Sequence, residues 1–416
     1  MKSNLEALYF LSKSLTIFSE LKNDTVIENL CKIIELLFLK DFDRTVSSIV
    51  LECYSKMCNE LYKNKSSLPD YIYNLIRYSE NIFSLLCAKN EEIPPEFLLS
   101  AKNDIGTLIM LANIKSEKII DCIIEKNNRI LLLRNNLPKY SSKSLLLERF
   151  EYSEDFIEDL MKFYFTNGIG IFAKYSSFRM EQNGELVPVV YPDKVRLTDL
   201  KLYEAQKQKA QDNLTAFMEN NSYNNALLYG DRGTGKSSCV KALANEFASK
   251  GLRLIQLEKK NLCFLGSVMQ KLADKPLKFL IFIDDLTFNE DDDSMGSLKA
   301  VLEGSICLQP KNIVIYATSN RRHIVKETFS AREGDELHRE DTIDELMSLS
   351  DRFGLMITYQ MPSKDNFIEI VHQIANDKGI NVSVAELDKG AERFALLKGY
   401  RSPRVAHQYL DLMYGV

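Results

Sequence analysis

Residues 225–238, NALLYGDRGTGKSS, constrain this chain more than any other stretch. A short apolar run at 226–229 meets a glycine-bearing turn, and a lysine with two serines then opens a helical pattern reaching 247. Gly230, Gly235, Lys236 and Ser237 fit the phosphate-binding spacing G-x-x-x-x-G-K-[ST]. Several backbone N–H groups must aim at one point to hold a polyphosphate. Only residues free to take positive φ let the chain curl so tightly, which accounts for Gly230, Gly233 and Gly235. The next helix turns its positive end toward the anion. Lys236 is expected to reach the β and γ phosphates and the Ser237 hydroxyl to hold Mg²⁺. The full expected contact set is Gly230, Asp231, Arg232, Gly233, Thr234, Gly235, Lys236, Ser237 and Ser238.

One loop implies nucleotide binding, not purpose. At 416 residues the chain has room for two or three domains. A net charge of −5 gives no basic footprint for general nucleic-acid binding. The eight cysteines form no C-x-x-C pair, and all four histidines lie beyond residue 320, so a thiolate or imidazole metal site is not expected. The thiols read as buried side chains of a reducing, cytoplasmic protein. No signal peptide is expected from the first residues, and no apolar run is long enough to span a bilayer.

Glycine marks the first boundary. Of 17 glycines only Gly106 precedes Gly168, and apolar residues recur at helical spacing, as in Leu30, Ile33, Ile34 and Leu37. Residues 1–165 are therefore expected to be all-α, either a partner-binding module or a bundle packed on the motor. Residues 166–200 change character. A hairpin is expected at 178–190 about Asn183-Gly184, a pair suited to a type I′ turn, with an extended linker after it. Residues 201–362 alternate helices with apolar strands at 226–229, 253–257, 279–283 and 313–317. That pattern predicts a three-layer α/β domain with a parallel sheet. Residues 363–416 read as a small helical lid.

The strand 279–283 ends in two acids. Asp284 is expected in the Mg²⁺ shell with Ser237, and Asp285 is placed to orient or deprotonate a water. The strand 313–317 ends in polar residues, of which Asn320, then Thr318, could touch the γ-phosphate or that water. Arg352, in LSDRFGL, suits a charge inserted into a neighbouring subunit's site. Arg404, in GYRSPRVA, could reach the γ-phosphate from the lid.

Together these segments resemble the AAA+ ATPases. From about Gly168 onward, GIGIFA, GDRGTGKSS, ATSNRRH and SLSDRFGL are similar to an uncharacterised bacterial AAA+ family. The resemblance implies ATP binding and hydrolysis with Mg²⁺, an αβα core with a helical lid, and ring-like assembly. By position it makes Asn320 the first sensor, Arg352 the arginine finger and Arg404 the second sensor. Two departures stand out. Asp285 occupies the place where most relatives carry glutamate, which fits a slow ATPase. The D-L-x-G box before the phosphate loop reads Asp199-Leu200-Lys201-Leu202, so the adenine pocket near 198–203 is expected to differ. Phe264, after the second strand, stands where unfoldases carry a pore aromatic; a core role is the alternative.

The leading expectation is an oligomeric AAA+ ATPase that works on a protein partner recruited by the helical domain. A DNA-linked helicase loader or initiator is the alternative, favoured by the Asp284-Asp285 and Arg321-Arg322 pairs and opposed by the charge balance. A small-molecule kinase ranks third.

Overall fold

The computed structural model describes residues 2–39, 42–127, 131–132, 134–146, 151–286, 296, 298–299, 301–302, 309–320 and 352–415. The Arg321-Arg322 pair and the acidic segments 290–293 and 333–345 lie outside them. The chain divides into two compact units, Met1–Lys174 and Tyr175–Val416.

The first unit is built from helices, with no strand among its described residues. Those helices start where side chains can cap them. Asp24, Asp43, Ser67, Asn81 and Ser153 each accept a backbone N–H of the first turn. Helices Thr25–Leu37 and Arg44–Lys63 bury one stripe each, including Leu30, Ile33, Ile34, Tyr54, Met57 and Leu61, in a single apolar core. Asp70 is a buried exception, only 4% exposed. It accepts hydrogen bonds from Ser67, Ser144 and the N–H groups of Leu145 and Leu146, which pins the loop after residue 140.

The second unit is built on a sheet of seven described strands. They are β1 (Ser177–Met180), β2 (Leu186–Pro188), β3 (Ala226–Gly230), β4 (Leu252–Leu257), β5 (Lys278–Ile283), β6 (Ile313–Ser319) and β7 (Leu355–Tyr359). The order across the sheet is β2-β1-β4-β5-β6-β3-β7, parallel except for β1 with β2. β5 and β6 are buried almost throughout, as strands covered on both faces must be. Helices Glu204–Met218 and Lys236–Phe247 cover one face through Leu214, Phe217, Val240, Leu243 and Phe247. Three C-terminal helices, Lys364–Asp377, Val384–Lys398 and Pro403–Tyr414, enclose their own core around Phe367, Ile370, Ala391 and Tyr409. No helix among the described residues is long and apolar enough to cross a membrane.

Several expectations are corrected. The hairpin, expected ahead of the α/β core, joins its sheet, because β1 pairs with β4. Its turn is not type I′. Gly184 alone takes positive φ, at 76°, and its N–H returns to the Glu181 carbonyl, which makes a three-residue loop with a glycine bulge. Phe264 lies against that glycine, with Cδ1 3.1 Å from where a Gly184 Cβ would stand. Strand β7 has no counterpart among the expected strands. Of the thiols, Cys53, Cys58, Cys87 and Cys239 are buried, but Cys263 is exposed.

Candidate nucleotide-binding site

Parallel strands all end on one side of their sheet, and here that side gathers the expected residues. β3 delivers the phosphate loop, β5 the acid pair and β6 Asn320. The register sets β3 and β5 on either side of β6, with Tyr229 opposite Ser319 and Ile283 opposite Ala317.

The loop takes the curl its glycines predict, with φ of 130° at Gly230, 76° at Gly233 and 94° at Gly235. Gly230 has a further reason to lack a side chain: a Cβ there would lie 2.0 Å from the Tyr359 carbonyl oxygen of β7. At Gly235 an added Cβ would meet nothing within 4 Å, so the space before the loop is open. Thr234 is buried and closes the loop on itself through Oγ1 to the Asp231 carbonyl, 2.8 Å. The Asp231 carboxylate accepts the Met361 N–H at 2.7 Å, just before the lid, which ties the loop to that segment.

Lys236 is 5% exposed. Its Nζ donates to the carbonyls of Gly230 (2.9 Å) and Asp231 (2.6 Å) and to Oδ1 of Asn320 (3.2 Å), all neutral acceptors. Burial pushes its ammonium down from 10.5 to about 8, against the pull of Asp231, Asp285 and Asp284. A buried cation with neutral partners suits an incoming polyphosphate. Asn320 turns its other end to the acids, Nδ2 donating to Oδ1 of Asp285 at 2.5 Å. Ser237 Oγ and Thr318 Oγ1 both donate to Oδ1 of Asp284, at 2.5 and 2.6 Å. Asp285 itself stands at φ 53°, a conformation that aspartate tolerates better than most residues.

Arg404 arrives from the lid. Its N–H reaches the Gly233 carbonyl at 3.3 Å, and an added Cβ at Gly233 would press on Ser402 Oγ at 2.8 Å. Between the lid and the loop lies a cavity of about 260 Å³. Its walls include Leu200, Leu202, Tyr203, Gly235, Tyr359, Ile374, Arg404 and His407. Leu202, which replaces the glycine of the D-L-x-G box, nevertheless adopts the left-handed conformation at φ 69°, and Tyr203 does the same at 67°. Tyr203 is locked there by its hydroxyl to the Gln360 carbonyl (2.6 Å) and by the Tyr359 ring, 5.0 Å away between centroids. His407 and Tyr359 carry no local sequence signal, because they reach the cavity from distant segments.

Arg352 is elsewhere. It precedes β7, whose Leu355 pairs with Ala226 at the start of β3 and whose Tyr359 pairs with Gly230 at its end. Four residues of strand rise put about 13 Å between the two ends of the sheet there. Arg352 therefore stands at the end of the sheet opposite Lys236.

The fold and site together define an AAA+ P-loop protein with a C-terminal helical lid. Residues 173–416 match the family described as "Protein of unknown function (DUF815)", and the chain belongs to that family. Comparison with curated proteins gives no significant match. Among solved structures, the chain is similar to the Thermotoga maritima RuvB Holliday junction branch migration motor, at 14% identity over 53% of this chain and 72% of that one, with a TM-score of 0.31. Two mutants of that protein match at 14% and 13% identity over 53% and 52% of this chain and 72% of theirs, also at 0.31.

Proposed function

We propose that this protein is a Mg²⁺-dependent ATPase of the AAA+ class, acting in the cytoplasm as an oligomer on a protein partner. The observation that carries the reading is the hydrogen-bonded chain Lys236–Asn320–Asp285 set beside Ser237–Asp284 at the open face of a glycine loop. Lys236 and the loop N–H groups suit the phosphates, and the apolar wall of Leu200, Leu202, Tyr359 and Ile374 suits a base. Ser237 and Asp284 suit Mg²⁺, which when bound neutralises phosphate charge. Asp285 is the group to accept a proton from the attacking water, with Asn320 orienting it. Arg404 would meet the phosphates from the lid.

The oligomer rests on Arg352, whose position at the end of the sheet away from Lys236 favours a role toward a neighbouring subunit's site over its own. The partner rests on the helical unit, which leaves Leu132 90% and Leu145 86% exposed. ATP turnover per subunit, measured against protein concentration for wild type and Arg352→Ala, tests the reading. Turnover should rise with concentration and collapse in the variant. A rate independent of concentration and unchanged by the substitution would remove the shared site.

A further inference from the structure

We propose that Thr318 is a positioning residue that sets the magnesium acid Asp284 and the backbone of Asp285 together; this rests on the nucleotide site proposed for the phosphate loop. Thr318 lies on β6, 2% exposed, one residue beyond the Ala317–Ile283 pair. There β5 stops behaving as a strand. Three groups of Thr318 hold residues 284–286 in place. Its hydroxyl proton goes to Oδ1 of Asp284 at 2.6 Å, its hydroxyl oxygen accepts the Asp285 N–H at 3.0 Å, and its carbonyl accepts the Leu286 N–H at 2.7 Å.

A hydroxyl has one proton to give, and here it is committed to a carboxylate that already accepts Ser237. The same oxygen takes an N–H that the parallel ladder can no longer use, at the residue whose φ swings to 53°. One side chain therefore fixes both the direction of the metal acid and the kink that aims the second acid at Asn320. Valine has the same shape without either capability. Serine keeps both.

The test uses the full chain and a fluorescent ATP analogue, titrated with Mg²⁺ and in chelator. Thr318→Val should bind the analogue like wild type in chelator. It should lose the gain in affinity that Mg²⁺ gives, by about tenfold to a hundredfold, the range a hydrogen bond to a charged group is worth. Thr318→Ser should restore the gain. Thermal unfolding of each variant reports whether the strand survives. Wild-type Mg²⁺ dependence in Thr318→Val, or an equal loss with and without Mg²⁺, overturns the assignment. A wild-type chain that binds no analogue in either condition brings down the nucleotide reading itself, a result distinct from both.

Discussion

Asn320 joins Asp285 by a 2.5 Å hydrogen bond while its carbonyl oxygen accepts Lys236. One amide thus spans the buried Lys236 ammonium and the Asp285 carboxylate. If Asp285 is the general base as proposed, replacing Asn320 with Ala should cut ATP turnover by on the order of 10²-fold by removing its hydrogen-bond partner. Affinity for nucleotide should change far less. Single-turnover and binding measurements separate the two; equal losses in both would count against a role in the reaction.

The close approach of β3 to β7 gives a structural prediction. In Gly230→Ala the new methyl meets the Tyr359 carbonyl at 2.0 Å, with φ at 130°. Neither backbone can move without opening the sheet. A destabilisation of roughly 3 kcal/mol or more is expected, from strain and overpacking combined. Chemical denaturation monitored by circular dichroism reads it directly, and a loss below about 1 kcal/mol would show that the strands can part.

Lys236 supplies a pH dependence. Folded, its ammonium sits near 8; unfolded, it regains its ordinary 10.5. Between those values the unfolded chain binds more protons, so the ligand-free protein gains stability as pH rises through that window. Phosphate binding needs the charged form and runs the other way. Affinity for ATP should be steady below about pH 8 and fall by about tenfold per unit above it. Titrations from about pH 7 to about pH 9.5 would reveal this, and a flat profile would remove Lys236 as the responding group.

Asp70 adds a dependence of the same sign in the acid range. Burial alone would raise its carboxyl, but hydrogen bonds from Ser144, Leu145, Ser67 and Leu146 together hold it below the ordinary 3.8. A depressed carboxyl contributes stability above its unfolded value and loses it as pH falls through the folded one. Asp70→Asn should therefore destabilise the helical unit at neutral pH by about 1–3 kcal/mol, through acceptors lost to buried donors. The gap to wild type should narrow below about pH 4. Urea melts at the two pH values check it; a gap that stays constant would mean the charge is not what the loop needs.

A physical divide separates the residues legible in the sequence from those that are not. That Lys236, Ser237 and Asp284 cluster is legible because the glycine-loop spacing and an acid pair closing an apolar strand bring those residues to one edge of a parallel sheet. The parallel core is legible because β5 and β6 are apolar on both faces. Strand β7 is not, because LMITY mixes buried and partly exposed positions and gives no continuous run. The cavity wall is not, because Tyr359 and His407 meet Leu202 only through the fold. Leu202 is the sharper case. The absence of glycine reads as a changed pocket, yet the backbone keeps the left-handed turn and stores the strain in a leucine.

The phosphate loop is fastened to the lid at two places. Asp231 holds Met361 where the lid begins, and Gly233 meets Ser402 and Arg404 where its last helix starts. Residues 231 and 233 thus anchor the three-helix arm both before its first helix and at the start of its last one.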